Sequence, residues 1–162
     1  ELLSLMNSQG ERALDMLDGL ITVEAAESTI PSVKRISVSE LKVHLQCDAL
    51  GSIEQRRVDT DIAVLQRALS ELIDNANVYG KFAGVTISAI DSEIRVQVKD
   101  DGGGIPEDRW EDALRPFRRL DPDIETDRLG LGLVRAQIFA NRAGGQLCNL
   151  ATGVFVSLPC VN

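Results

Sequence analysis

The chain is poor in aromatic residues and in cysteine, and it has no long apolar run. Aromatic residues make up 4% of the sequence, so the core of any domain must be built from aliphatic side chains. Its cysteines, Cys47, Cys148 and Cys160, stand far apart without a CxxC pair, which disfavours a disulfide framework or a zinc site and predicts free thiols. No apolar stretch approaches the length of about 18 residues that a membrane-spanning helix needs.

Positive charge is also scarce in this sequence. The 17 Lys and Arg residues are outnumbered by 25 Asp and Glu residues, which gives a net charge of −8 at pH 7. Because nucleic-acid binding depends on clustered Lys and Arg, this balance excludes it as the expected function. The first residues are amphipathic and acidic, unlike a secretion signal. A length of 162 residues suits one domain with one additional element.

Residue spacing divides the chain into three parts. Residues 1–28 place apolar or small side chains at alternating spacings of three and four from Leu3 to Leu20, which predicts a helix of a helical bundle. An ordinary surface helix packed on its own domain is the alternative. Residues 29–38, which include Pro31, are predicted to be a linker. Residues 39–162 are predicted to form an α+β domain with helices on one face of a mixed sheet.

Alternation, helical spacing and turn residues predict the elements of this domain. Two strands are expected early, at residues 43–47 and 52–58, followed by a helix over 59–76 with N-cap candidates at its start. Strands at 84–90 and 93–99 flank a two-residue turn and predict a hairpin. A helix over 131–143 is expected to end at Gly144-Gly145, before a closing hairpin of residues 146–150 and 154–158.

The first motif lies on the predicted helix that ends near Ala76. Glu71, Asn75 and Tyr79 are spaced i, i+4 and i+8, so they share one helix face. The amide oxygen of Asn75 is a suitable Mg²⁺ ligand, and the carboxylate of Glu71 can accept a proton. A solvent-exposed polar face without a site is the alternative for this motif taken alone.

Two glycine-rich stretches form the second and third motifs. Asp100 ends a predicted strand and is followed by three glycines, more than a plain hairpin turn needs, so a close approach of the backbone to a ligand is expected. A plain turn is the alternative. Gly130 and Gly132 precede a helix, whose exposed N–H groups and dipole favour an anion. Neither a Walker loop nor a Rossmann fingerprint is present.

Four boxes in this order and separation resemble the sensor histidine kinase branch of the GHKL ATPases. They are the N box at residues 71–79, the G1 box at 100–105, the F box at 115–117 and the G2 box at 130–133. The resemblance covers about residues 58–160 and implies the Bergerat fold, a two-layer α/β sandwich, with ATP and Mg²⁺ as cofactors. Residues 1–28 then resemble the second helix of the dimerisation bundle.

The resemblance implies a role for each matched residue. Asn75 would coordinate Mg²⁺ and Glu71 would assist proton removal, so both would be catalytic. Asp100 would bind the adenine amino group, and Phe117 would be the apolar anchor of an ATP lid over residues 107–129. The residues that the resemblance implies in ATP binding are Asn75, Tyr79, Asp100, Gly102, Gly104, Ile105, Phe117, Arg119, Gly130, Leu131, Gly132 and Leu133.

The implied function is transfer of the ATP γ-phosphoryl group to a histidine upstream of this chain. From there it would pass to an aspartate on the receiver domain of a response regulator. The implied partners are that receiver domain and the protein's own dimerisation bundle in a homodimer. The implied location is the cytoplasm, as a free protein or as the cytoplasmic part of a membrane-bound sensor. His44, the one histidine, lacks the sequence context of a phosphoacceptor and is predicted to be a strand residue.

The sequence departs from the family pattern in places, and other functions remain open. Val78 stands where the family has Lys or Arg, which Lys81 or Arg119 would compensate, and Arg128 stands where the glycine loop often begins with Gly. A gyrase-like ATPase or an anti-sigma-type serine kinase would also use the Glu71–Asn75 pair. A docking module that has lost ATP turnover is a third alternative. The N-terminal helix and the Phe117 lid favour the histidine kinase.

Overall fold

The structure is a computed structural model that describes residues 30–120 and 129–161. The predicted bundle helix at residues 1–28 lies outside the described residues and stays a prediction. The strands are β1 (Lys34–Ser37), β2 (Asp48–Ala49), β3 (Arg57–Thr60), β4 (Phe82–Ile90), β5 (Glu93–Asp100), β6 (Gln146–Leu150) and β7 (Gly153–Val161). The helices are α1 (Val38–Leu45), α2 (Ile62–Tyr79), the short α3 (Trp110–Ala113) and α4 (Gly132–Arg142), and a 3₁₀ turn (Glu107–Arg109) precedes α3.

The strands form one mixed sheet in the order β1-β3-β7-β5-β4-β2, with β6 also paired to β7. Neighbouring strands run antiparallel except β2, which lies parallel to β4. Along β5 the side chains of Ile94, Val96 and Val98 are buried, while the residues between them are more exposed. This alternation gives the sheet one apolar face, on which the helices pack. The expected α+β architecture is confirmed.

Helix α2 forms because its apolar residues repeat with helical spacing. Its buried face consists of Leu65, Ala68, Leu69, Leu72 and Ala76. The buried carboxylate of Asp61 caps the helix by accepting a hydrogen bond from the Val64 amide (3.2 Å), and it also accepts one from the Ser32 amide (2.6 Å). A capped start and a continuous apolar stripe fix both the position and the rotation of α2 on the sheet.

Helix α4 packs beside α2 and ends as the sequence predicted. Its buried residues are Leu133, Ala136, Phe139 and Ala140. Gly144 follows with φ of 86°, and the Gly145 amide donates to the Ala140 carbonyl (3.0 Å). The carbonyl of Ala143 accepts a hydrogen bond from the fully buried hydroxyl of Thr60 (2.7 Å), which joins the end of α4 to β3. The end of this helix is therefore held by a buried side chain as well as by its glycine cap.

The strand predicted at residues 43–47 is wrong, because α1 occupies this region. Ser37 and Glu40 form a capping box: the Glu40 amide donates to the Ser37 hydroxyl (3.2 Å) and the Ser37 amide donates to Glu40 (2.8 Å). Val38 and Leu41, three positions apart, are buried, whereas Val43 and His44 are exposed. The capping box and the spacing of three outweigh the apparent alternation. His44 is consequently a helix residue, not a strand residue.

Other boundaries differ from the sequence prediction by a few residues. Strand β1 lies within the predicted linker and pairs with β3. The strand expected over 52–58 begins only at Arg57, because the Arg56 amide closes a turn onto the Ile53 carbonyl (3.0 Å). Helix α2 runs on to Tyr79, so the whole N box is helical. The expected β4–β5 hairpin is confirmed, with pairing from Ile90↔Glu93 onward.

Two further features of the structure concern its cysteines and the length and apolar character of its helices. Cys47, Cys148 and Cys160 are free thiols, as predicted, and partial burial raises the pKa of Cys47 and of Cys148. No helix among residues 30–120 and 129–161 combines the length and the apolar character that crossing a bilayer requires.

We predict that Thr60→Val lowers the free energy of unfolding by about 1–2 kcal/mol, because it removes the donor to a buried carbonyl. Denaturation in urea measures this change. Thr152→Val is the matched control, since Thr152 is exposed and its hydroxyl only accepts from the half-buried Gln97 (2.9 Å). The control is expected to stay within about 0.5 kcal/mol of the parent chain. Equal losses in both variants would contradict the role given to the Thr60 hydroxyl.

Candidate active site

A cavity of about 470 Å³ lies where the three sequence motifs meet. Asn75 and Tyr79 line it from α2, and Asp100 lines it from the end of β5. The remaining expected residues on its wall are Gly102, Gly104, Ile105, Gly130, Gly132 and Leu133. The structure therefore brings together the helix, the glycine-rich loop after β5 and the glycines before α4, although these segments are far apart in the sequence.

The loop after β5 contacts the end of α2 through its first glycine. A Cβ atom on Gly102 would lie 2.7 Å from the Tyr79 carbonyl oxygen, so only glycine allows this approach. The Gly102 amide donates to one carboxylate oxygen of Asp100 (2.8 Å), which orients that side chain. Asp101 accepts a hydrogen bond from the Lys81 amide (2.5 Å). These contacts fix Asp100 and Tyr79 on the same wall of the cavity.

The same loop contacts the β6–β7 turn through Gly104. Gly104 has φ of 71°, and a Cβ atom there would lie 2.7 Å from the Ala151 carbonyl oxygen. The side-chain amide of Asn149 donates to the Ile105 carbonyl (2.6 Å). The glycine-rich loop is thus held between α2 on one side and the closing hairpin on the other.

The segment before α4 packs against the residues that follow the F box. Gly130 has φ of 71°, and a Cβ atom there would lie 2.5 Å from the Arg118 carbonyl oxygen. Among the described residues, no side chain caps the start of α4, which begins at the cavity-lining Gly132. The first N–H groups of α4 and the positive end of its dipole therefore lie at the cavity wall, where an anion would be stabilised.

Two arginines that the sequence analysis did not select line the cavity, namely Arg109 and Arg118. Arg109 donates to the Leu120 carbonyl (2.5 Å), and Arg118 donates to Asp112 (2.9 Å). The hydrogen bond from Arg118 lowers the pKa of Asp112, so this carboxylate is ionised at neutral pH. Positive charge is concentrated at this cavity although the chain as a whole is acidic.

Four of the expected site residues are not on the cavity wall: Glu71, Phe117, Arg119 and Leu131. Leu131 occupies the N-cap position of α4. Arg118, not its neighbour Arg119, faces the cavity. Glu71 is paired with Arg135 of α4, whose Nη2 atom lies 2.9 Å from the Glu71 Oε2 atom. The sequence spacing alone carried no sign of this ion pair.

Phe117, which is expected to be the apolar anchor of a lid, is exposed in this structure. Its side chain is 46% exposed, and its backbone has φ of 63° in a turn closed by the Arg118 amide on the Arg115 carbonyl (3.3 Å). The apolar contacts of this segment with the core come instead from Trp110, Ala113, Leu114 and Leu120. Residues 121–128, including Arg128, lie outside the described residues.

The cavity is also lined by residues that the sequence did not predict as site residues, namely Ala76, Pro106, Arg109, Ala113, Arg118, Leu120, Gly153 and Val154. Gly153 was read only as part of a hairpin turn, and no local signal distinguishes it from other turn glycines. Lys81, suggested as a substitute for the missing base at Val78, is exposed and does not line the cavity. The nearby positive charge comes from Arg109 and Arg118 instead.

Comparison with known families decides what kind of domain contains this cavity. The family model described as "Histidine kinase-, DNA gyrase B-, and HSP90-like ATPase" matches residues 60–155. The chain belongs to this ATPase family. The resemblance drawn from the four boxes is confirmed, and so is a fold of the Bergerat type. Membership of this ATPase family also implies that the chain binds ATP.

The individual relatives of this ATPase domain are sensor kinases. Sensor histidine kinase GtrS of Pseudomonas aeruginosa is 36% identical over 83 residues, which cover 51% of this chain and 17% of GtrS. Sensor protein KdpD of Mycobacterium tuberculosis is 33% identical over 89 residues, covering 54% of this chain and 10% of KdpD. The chain thus spans less than a fifth of the length of these curated relatives.

A solved structure supports the fold alone. The Acinetobacter baumannii histidine kinase AdeS superposes with a TM-score of 0.60 at 20% identity, covering 99% of this chain and 84% of that one.

We predict that Gly104→Ala destabilises the ATPase domain more than Gly103→Ala. Both glycines have positive φ, so each substitution costs about 1 kcal/mol of backbone strain. A Cβ atom on Gly103 would meet nothing within 4 Å, whereas one on Gly104 would collide with the Ala151 backbone. The free energy of unfolding in urea should therefore fall at least about 1 kcal/mol further for Gly104→Ala. Identical values for the two variants would show that the loop does not press on the β6–β7 turn.

Proposed function

We propose that this chain is the ATP-binding catalytic domain of a sensor histidine kinase, and that it transfers the γ-phosphoryl group of ATP to a histidine. One observation carries the proposal. Asn75, Asp100 and Gly132, from three separate segments, line a single cavity in a chain that belongs to an ATPase family. The sensor kinases among its relatives support the choice of histidine kinase over the other members of that family.

The adenine base would lie at the Asp100 end of the cavity. One oxygen of Asp100 accepts the Gly102 amide, and none of the described residues donates to its second oxygen. That oxygen can accept a hydrogen bond from the adenine amino group. Ile105, Leu133 and Val154 supply apolar wall to the cavity, which suits the faces of a planar base.

The phosphates would lie at the Gly132 end. The uncapped start of α4 offers backbone N–H groups, and Arg109 and Arg118 offer two guanidinium groups. Together they would neutralise part of the triphosphate charge in a domain whose net charge is −8. Arg119, Leu131 and Phe117, which the family resemblance implies in ATP binding, do not line the cavity and would act only after a rearrangement of their segment.

The residues at the cavity suit Mg²⁺, which needs few protein ligands, better than a metal ion that is held by protein side chains alone. Asn75 presents an amide group at the wall, and no group of three or more His, Cys, Asp or Glu residues that could hold a metal ion occurs in the part of the chain that the structure describes. Mg²⁺ typically takes one or two protein ligands and completes its shell with phosphate oxygens and water. Asn75 would hold the ion, whose chemistry is to neutralise charge on the β- and γ-phosphates.

The protein's own residues would then bind and align the reacting groups. A neutral imidazole nitrogen attacks the γ-phosphorus, the N–P bond forms, and the P–O bond to the β-phosphate breaks, so that ADP leaves with the electron pair. The proton on the other imidazole nitrogen must be accepted, and Glu71 is our candidate for that role. His44 is exposed on α1 and does not line the cavity, so we propose that the acceptor histidine belongs to a dimerisation bundle.

The wider setting follows from this assignment. We propose that the phosphoryl group passes on to the receiver domain of a response regulator, that the intact protein is a homodimer, and that this domain works in the cytoplasm. The sensor kinases GtrS and KdpD are the relatives that support this setting.

We predict that Asn75→Ala lowers the affinity for ATP at least tenfold in the presence of Mg²⁺, because it removes the ligand that joins the ion to α2. Fluorescence of Trp110, the single tryptophan, can follow the titration, since it lies next to the cavity-lining Arg109. Asn77→Ala on the exposed side of the same helix is the control and should bind ATP like the parent chain. When EDTA removes the metal, the parent chain and Asn75→Ala should converge; a tenfold gap that persists would refute the Mg²⁺ role.

We further predict that the parent chain binds ATP at least tenfold more tightly than inosine triphosphate, whose base carries an oxygen in place of the amino group. An acceptor opposite that oxygen leaves two lone pairs facing each other. Asp100→Ala should weaken ATP binding and remove the preference, as calorimetry with both nucleotides would measure. If Asp100→Ala kept the full preference, the base would be recognised elsewhere.

A further inference from the structure

The ion pair between Glu71 and Arg135 is partly buried. The Glu71 side chain is 15% exposed and the Arg135 side chain 26%, and their closest atoms are 2.9 Å apart. In the pairs Arg35–Asp59 and Arg118–Asp112, by contrast, the arginine is 50% and 61% exposed. The pair joins α2 to α4, two of the helices that border the cavity.

The carboxylate of Glu71 lies directly behind the phosphate end of the cavity. Its Oε2 atom is 3.7 Å from the position that a Cβ atom on Gly132 would occupy. Asn75 follows Glu71 by one helical turn, and both Gly132 and Asn75 line the cavity. A small movement of the side chain would therefore bring this carboxylate to the wall or withdraw it.

Stability alone does not explain why this pair is partly buried. Removing two charges from water costs about as much as their attraction returns, and apolar side chains of similar volume would hold two helices together at least as well. What an ion pair adds is direction: the contact with the Arg135 guanidinium holds the Glu71 carboxylate in one place. Of the described residues, only Arg135 contacts the Glu71 carboxylate by a hydrogen bond.

We propose that Arg135 is a positioning residue, which holds the carboxylate of Glu71 beside Gly132 at the phosphate end of the site. This inference rests on the proposed function, in which Glu71 accepts a proton during phosphoryl transfer. Arg135 acts through Glu71 and does not itself line the cavity. Its loss should therefore affect the rate of transfer more than the binding of ATP.

The test is a double-mutant cycle in the full-length protein that carries this chain. Arg135→Gln, Glu71→Gln and the double variant are compared for kcat and KM of phosphoryl transfer from radiolabelled ATP. Arg135→Gln should lower kcat about 10- to 100-fold with KM changed less than about threefold. In the Glu71→Gln background, Arg135→Gln should have no further effect on kcat.

Arg35→Gln is the matched control, because it breaks an ion pair between β1 and β3 that lies away from the cavity. Its kcat and KM should equal those of the parent protein. The inference would be overturned if Arg135→Gln kept the parent kcat, or if its effect multiplied with that of Glu71→Gln. A parent protein that neither bound ATP nor transferred phosphate would instead overturn the proposed function, and this inference with it.

A charge-reversed pair provides a second test if the Arg135→Gln protein does not fold. Glu71→Arg combined with Arg135→Glu restores an ion pair between α2 and α4 but moves the carboxylate to α4. We expect near-parent thermal stability with kcat still reduced at least tenfold. A charge-reversed protein with the parent kcat would mean that the pair only joins the helices.

Discussion

The site depends on the packing of α2 against the sheet. A helix whose apolar stripe is pressed onto a sheet has no freedom to rotate, so its polar residues face a fixed direction. Here the stripe from Leu65 to Ala76 lies in the core, and Asn75 and Tyr79 consequently face the cavity. The backbone of Tyr79 then meets Gly102 at a distance that no side chain would permit, which brings the glycine-rich loop and Asp100 to the same wall.

A second consequence of this arrangement is electrostatic. A domain of net charge −8 has to bind a polyanion, and it does so by local means. The positive end of α4, together with Arg109 and Arg118, creates a favourable potential over a short distance, within which screening by salt is weak. Of the acidic residues near this region, Glu71 is itself paired, with Arg135. Its charge is thereby neutralised beside Gly132, where a triphosphate would otherwise be repelled.

The elements that the sequence predicted well are those set by local signals. Helix α2, the β4–β5 hairpin and the glycine end of α4 each depend on residues within one or two turns of each other. Helix α1 also had a local signal, the capping box of Ser37 and Glu40, but the alternation at residues 43–47 masked it. The pairing of β3 with the end of β7 had none, because Arg57 and Val161 are far apart in the sequence. Sheet order of this kind is decided by non-local packing.

The residues of the candidate site also divide into those with a local sequence signal and those without one. Glycine clusters and the spacing of Asn75 and Tyr79 pointed to the cavity, since they report on the backbone and on one helix face. That Arg118 and not Arg119 lines the cavity did not follow from the sequence, because it depends on how this segment packs against the rest of the domain. The partner of Glu71 was equally out of reach, since Arg135 lies on another helix. Side chains that meet across elements are visible only once the fold is known.

The central claim is that three distant segments bind one nucleotide. Amide chemical shifts of the chain, recorded by NMR during titration with ATP and Mg²⁺, test it most directly. The account predicts that the side-chain amide of Asn75 and the backbone amides of Gly102 and Gly132 move together, with one shared dissociation constant. Shifts confined to one of these segments, or separate constants for each, would contradict it.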